Sequence, residues 1–199
     1  MRVPTSAEHN LAIHIIRDVR GQSLGGNVDA PNVAPVGAYP ELVLQIAAQL
    51  TDDNSPSSLY FDFWQLILQH WFSDPSYTVE HLWPIPDLED AQITFVVLRA
   101  ETPVVLLQVS APADFDNVHT RAAAAALSSG HWEHTAPYCE SRELVTIAAM
   151  GKRWTAFKNS PRLSVHDVLP SDSIDWMEDV VSEASYEMLE DLFRSIKEN

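Results

Sequence analysis

An α/β fold of the α+β kind, a central mixed sheet with an antiparallel hairpin meander flanked by helices, is predicted by three features of this 199-residue chain. First, the stretch QITFVVLRAETPVVLLQVSAP, from Gln92 to Pro112, alternates β-branched and apolar residues in two runs. It reads as two strands joined by a short turn at Ala100-Glu101-Thr102, with a helix following at once. Second, two more short apolar runs, ELVTIAA and RWTAFK, flank a turn at Met150-Gly151-Lys152. Third, segments with helical spacing of apolar residues stand before, between and after these strands. Helices that interrupt and flank a set of strands belong on the faces of one sheet.

The elements follow in order. Residues 6–20 suit a first helix, capped by Thr5 or Ser6, with Leu11, Ile15 and Val19 on one face. The segment 21–40 holds Gly21, Gly25, Gly26 and Gly37 together with Pro31, Pro35 and Pro40, so neither helix nor strand suits it. Its GQSLGG run has no lysine and lacks the spacing of a nucleotide-binding loop. PELVLQIAAQL at 40–50 predicts a helix with Pro40 at its first position and Glu41 in the favourable first turn. After a polar turn, Leu59–Phe72 predicts a second helix carrying Tyr60, Phe61, Phe63, Trp64, Trp71 and Phe72. Such aromatics suit a cofactor or sugar platform, but a helix wedged on a sheet uses their large buried area more simply. YTVEHLWP at 77–84 is a strand, followed by the acid-rich corner IPDLEDA and then the hairpin. Pro112-Ala113-Asp114 opens a helix that runs through five consecutive alanines and stops at Ser128-Ser129-Gly130, leaving GHWEHTAPYCES as a loop. Strands at 143–149 and 153–158 come next. A last helix, 174–197, has Ser173 as its N-cap and a stripe of Met177, Val181, Ala184, Met188, Leu192 and Ile196.

The length suits a single domain, 1–199, with a sizeable core. Acidic residues number 28 against 12 basic, a formal net charge of −16, so the average field repels a phosphate backbone. Only Arg142, Lys152, Arg153, Lys158 and Arg162 come near to forming a basic patch. Nucleic acid is therefore an unfavoured partner, and a protein partner or small ligand is favoured. Cys139 is the only cysteine, which excludes an intrachain disulfide. The N-terminal LAIHII run is broken by His14 and followed by Arg17 and Asp18, unlike a secretory signal. No window reaches membrane-spanning length. A soluble cytoplasmic protein without a membrane association is the expectation.

Side chains two apart on a strand share a face. A hairpin centred near Glu101 puts Thr94 opposite Gln108 and Gln92 opposite Ser110. The result is a neutral polar cluster at strand ends, where α/β proteins often place their chemistry.

With this order of elements the chain resembles the PD-(D/E)XK nuclease-like superfamily, restriction-endonuclease-like in fold, over about residues 40–158. More narrowly it resembles small fungal intracellular members. The resemblance rests on Gln92-Ile93-Thr94-Phe95, the short turn, Val104-Val105-Leu106-Leu107-Gln108-Val109-Ser110-Ala111-Pro112 and the helix after it. It implies a metal-binding Asp at or near Gln92, a Glu at Gln108 and a Lys at Ser110. Amide oxygens bind a hard Mg²⁺ far more weakly than two carboxylates do, and serine supplies no charge to an attacked phosphate. Asp90, two residues before Gln92, offers a single carboxylate. The resemblance thus implies a nuclease fold with a degenerate site and no cofactor, a non-catalytic binding module. It also implies that the helix after the hairpin faces the site, where His119 or Arg121, about 200° apart around that helix, could donate to an anionic ligand.

Two other constellations offer enzymatic alternatives. His131, Glu133, His134 and Cys139 have the residue types of a zinc site but no second ligand pair at structural-module spacing. Cys139 with His119, His131 or His134 could form a nucleophile pair, although only Arg142 stands near it to stabilise a thiolate. A hydrolase built on that loop, or on a residual Asp90 site, is the competing reading. On the last helix, Trp176, Tyr186 and Phe193 flank the apolar stripe and suggest a homodimer or docking surface.

Overall fold

The computed structural model describes residues 39–51, 55–85, 88, 91–139, 144–159, 175–177 and 179–198. The expected helix at 6–20, nearly all of the following loop, Asp90, Arg142 and Ser173 lie outside the described residues. The elements are α1 (Glu41–Gln49), α2 (Ser57–Trp71), β1 (Tyr77–Pro84), β2 (Gln92–Arg99), β3 (Thr102–Ser110), α3 (Val118–Thr135), β4 (Leu144–Met150), β5 (Arg153–Asn159) and α4 (Glu183–Glu198). The five strands form one sheet in the order β1-β2-β3-β4-β5. Every neighbouring pair is antiparallel except β3 and β4, which are parallel and joined through α3. The order helix, three-strand meander, helix and strand is the one expected from the sequence. No described helix is long and apolar enough to cross a membrane.

One face of the sheet carries the main core. Phe95, Val97, Val105, Leu107, Val109, Val145, Ile147, Ala149 and Trp154 pack there with Tyr60, Phe63, Trp64, Ile67 and Leu68 of α2. The aromatic helix is therefore a core helix. The other face is covered by α3 and carries a much smaller apolar cluster: Ile85, Ile93, Val96, Leu106, Trp132 and Leu144.

The hairpin register forms as expected where Phe95 pairs with Leu107, but by another route. The turn has two residues, Ala100 and Glu101, not three, since Arg99 pairs with Thr102. A bulge between Val97 and Leu98 absorbs the difference and restores the register of a hairpin centred on Glu101.

Three helix boundaries depart from the sequence expectation. The helix after the hairpin does not open at Pro112: Pro112–Asp114 form a separate 3₁₀ turn and the α-helix starts at Val118. Nor does it stop at Ser128-Ser129-Gly130; it continues to Thr135, so His131–His134 are helical. A mid-helix glycine costs about 1 kcal/mol, and burial of His131, Trp132 and Thr135 beyond it outweighs that cost. Its start is set by Asn117, whose Oδ1 accepts from the His119 and Thr120 backbone N–H groups. The last helix begins at Glu183, nine residues after the expected 174. Before it, Met177 and Trp154 exchange two backbone hydrogen bonds of 2.8 and 3.0 Å, which holds this segment to the edge of β5. Ser182 is the effective cap: its hydroxyl accepts from Ser185 N–H at 3.2 Å and its carbonyl from Tyr186 N–H at 2.9 Å. Phe193, expected as an interface anchor, is 1% exposed and packs on Trp71 and Phe72 within its own chain. Trp176 lies outside the helix and meets Phe115 edge-on.

Candidate functional site

Alternation along β3 sorts its residues between the two layers. Val105, Leu107 and Val109 enter the main core, so Leu106 and Gln108 face α3. The parallel register pairs Leu106 with Thr146 and Gln108 with Ala148, which puts Thr146 and Ala148 on the same side. Over them α3 turns a stripe of Ala124, Ala125, Ser128, His131, Trp132 and Thr135, all buried. The steps from Ala124 to Ser128, His131 and Thr135 are those of one helix face. The alanines let the helix backbone approach the strands closely.

This layer is polar in a way the main core is not. Gln108, Thr146, His131 and Thr135 are each 6% exposed or less. Gln108 Oε1, Thr146 Oγ1, His131 Nδ1 and Thr135 Oγ1 have no hydrogen-bond partner among the described residues. Ser128 spends its hydroxyl proton on the Ala124 carbonyl, at 3.1 Å. Burial, reinforced by the nearby His134, lowers the His131 pKa to about 4, so its ring is neutral at pH 7.

The expected cluster of Gln92, Thr94, Gln108 and Ser110 on one face is not what the structure builds. Strict alternation lapses at Thr94: Phe95 enters the main core, whereas Ile93 joins Val96 and Leu106 on the α3 side. On β1 the same change occurs at Leu82, whose φ of 54° lies in the left-handed region. His81 stacks on Phe95, while Trp83 packs with Ile93's cluster. Leu82 and Thr94 accordingly drop out of the ladder between them. Thr94 is buried, and its Oγ1 accepts from the Val109 backbone N–H at 3.1 Å, in place of the ladder carbonyl that would come next. Gln92 is exposed and pairs with Pro84, apart from buried Gln108. Ser110 is half-buried at the end of β3, where its carbonyl accepts from Gly151 N–H.

At that end of the sheet stands a shelf of cations and aromatic rings. The guanidinium carbons of Arg121 and Arg153 lie 5.0 and 4.4 Å from the centroid of the Phe115 ring. Arg121 also donates to the Phe115 carbonyl, and Trp176 meets the same ring at 5.5 Å. His119 is exposed and supplies only its backbone N–H to Asn117. The two residues diverge as the helical spacing predicts.

The zinc and thiol readings receive no support from the geometry. Among the described residues no three His, Cys, Asp or Glu side chains come together as a metal site. His131 is buried while His134 is exposed on the same helix. The Cys139 thiol donates to the Thr135 carbonyl at 3.4 Å, and burial pushes its pKa up to about 11. A nucleophilic cysteine needs the opposite shift.

Sequence reasoning missed Thr146, Ser128 and Thr135. The signal of Ser128 and Thr135 was present in the stripe Ala124-Ser128-His131-Thr135, but ending the helix at Gly130 broke it.

No protein-family model and no curated protein matches the sequence. Among solved structures the chain is similar to the type IIG restriction endonuclease BpuSI, at 15% identity and a TM-score of 0.39. The match covers 69% of this chain and 15% of that much longer one.

Proposed function

We propose that the chain is a non-catalytic module of nuclease-like architecture that acts by binding a protein partner or a small ligand. One observation carries this reading. The two positions on β3 where the resemblance implies an acid and a lysine hold Gln108, sealed under α3, and Ser110. An amide and a hydroxyl do not fit a hard divalent cation, and they cannot offset charge developing on a phosphate. The groups that do gather at the open end of the sheet, Arg121, Arg153, Phe115 and Trp176, suit stacking and hydrogen bonding to a bound partner.

Incubation of the full chain with single- and double-stranded nucleic acid in millimolar Mg²⁺ or Mn²⁺ tests the reading. The expected result is no cleavage and no rise in melting temperature with either metal. A bound cation at a hundredfold excess over its dissociation constant would stabilise the fold by about 2.7 kcal/mol. Cleavage, or a metal-dependent stabilisation that Asp90→Ala removes, would instead favour a hydrolase with a residual site.

A further inference from the structure

We propose that the layer between α3 and strands β3 and β4 is a built site for water-sized, uncharged molecules, and that ordered water links Gln108, Thr146, His131 and Thr135 there. The inference asks nothing of an external partner and stands or falls apart from the binding-module reading.

Buried polar atoms in native proteins are almost always hydrogen-bonded, and an orphan costs the folding equilibrium roughly tenfold or more. Among the described residues the unpartnered buried side-chain atoms are those of Ser58, Gln108, His131, Thr135 and Thr146. Ser58 belongs to the first turn of α2, on its own. The other four all belong to the layer between α3 and the sheet, with Gln108 and Thr146 on adjacent parallel strands and His131 and Thr135 one helical turn apart. Four orphans in this one layer point to small polar guests within it rather than to unrelated defects.

The chemistry of the walls limits what those guests are. Among the described residues the buried polar ones are Ser, Thr, Gln and His, and none is Asp, Glu, Lys or Arg. An ion in this layer would lose its hydration without meeting an opposite charge. The guest must also be small, because Ala124, Ala125 and Ala148 bring helix and strands close. Finally, it must both donate and accept. Gln108 Oε1 can only accept, whereas the hydroxyls of Thr146 and Thr135 do either. Water meets all three conditions, and buried water ordinarily makes two to four bonds of this kind.

Water-to-protein cross-relaxation in the isotopically labelled full chain provides the test, read together with urea unfolding of Thr146→Val and Thr146→Ser. We expect long-lived water signals at Thr146 and at the His131 ring, lost in Thr146→Val and kept in Thr146→Ser. Thr146→Val should also weaken the folding equilibrium by about tenfold. Absence of such signals in the parent protein would overturn the proposal, whatever the variants do. So would a Thr146→Val protein as stable as its parent or more so, because deleting an unbonded hydroxyl from a dry layer relieves a cost.

Discussion

Ala100 and Glu101 hold φ angles of 49° and 70°, the left-handed pair that a two-residue hairpin turn demands. Neither side chain favours that region, at about 1 kcal/mol or more for each such residue. Replacing the pair by Asn-Gly should therefore raise the unfolding free energy by about 1 kcal/mol, read as a higher urea midpoint at unchanged slope. A neutral or destabilising outcome would mean that the turn relaxes in solution. Single side chains matter in the opposite direction where indole N–H groups are buried. Trp64 donates to the Gly151 carbonyl at 2.8 Å, Trp71 to the Tyr39 hydroxyl at 3.2 Å and Trp154 to the Ser185 hydroxyl at 3.1 Å. Ser185 is fully buried, so no solvent would replace it. Ser185→Ala should cost about 1–3 kcal/mol by stranding the Trp154 donor, and equal stability of the variant would show that Trp154 finds another acceptor.

The last helix shows how much of an element can be read before its partners are known. That the helix is amphipathic was legible, but its buried line was not. Of the expected Met177, Val181, Ala184, Met188, Leu192 and Ile196 only Ile196 is buried; Met188 and Ala184 are exposed, and Leu189 and Phe193 enter the core instead. Its start was not legible either, because Asp175 through Ser182 is rich in residues that suit a helix yet is held as an edge bridge by the Met177–Trp154 pair. The Lys152–Asp179 ion pair at 3.1 Å and the Val180 N–H bond to the Lys152 carbonyl add further ties. Arg99 of β2 donates to the Ile196 carbonyl at the far end, where a cation suits the helix dipole. Since the helix is fastened by its core face, Phe193→Ala should cost about 3–5 kcal/mol in urea unfolding. A loss below 1 kcal/mol would show that the helix docks through its ends alone. The strands, by contrast, were read almost to the residue, because period-two alternation between turn residues leaves little choice. What alternation could not foretell was the shared reversal at Leu82 and Thr94, which depends on two neighbouring strands yielding together. That reversal is why exposed Gln92 stands apart from buried Gln108, while Thr94, buried as well, turns its hydroxyl to the Val109 N–H.

At the level of the whole molecule, charge and burial act on stability through different groups. The chain carries a formal charge of −16, with an isoelectric point near 4.6. Acidification towards that point weakens self-repulsion, but mainly once the carboxylates begin to protonate, at about pH 5 and below. The histidines respond earlier and with the opposite sign. Burial lowers the His131 pKa to about 4 and lowers those of His70 and His81 as well; nearby Lys197 adds to the shift at His70, and Asp62 opposes it at His81. An unfolded histidine titrates near 6.5. Below that pH the unfolded chain takes up protons that the folded chain refuses, so stability falls as pH falls. The contribution of His131 is complete above about pH 6.5, declines through the window down to about 4, and amounts to about 3 kcal/mol across it. The urea midpoint should therefore drop between pH 7 and 5, before relief of carboxylate repulsion can offset the loss. His131→Gln keeps hydrogen-bonding capacity without a titrating ring, and should flatten a large part of that slope while His70 and His81 supply the remainder. A parent protein equally stable at pH 7 and pH 5 would show that the His131 ring reaches solvent when protonated. A His131→Gln slope as steep as the parent's would assign the loss to other groups.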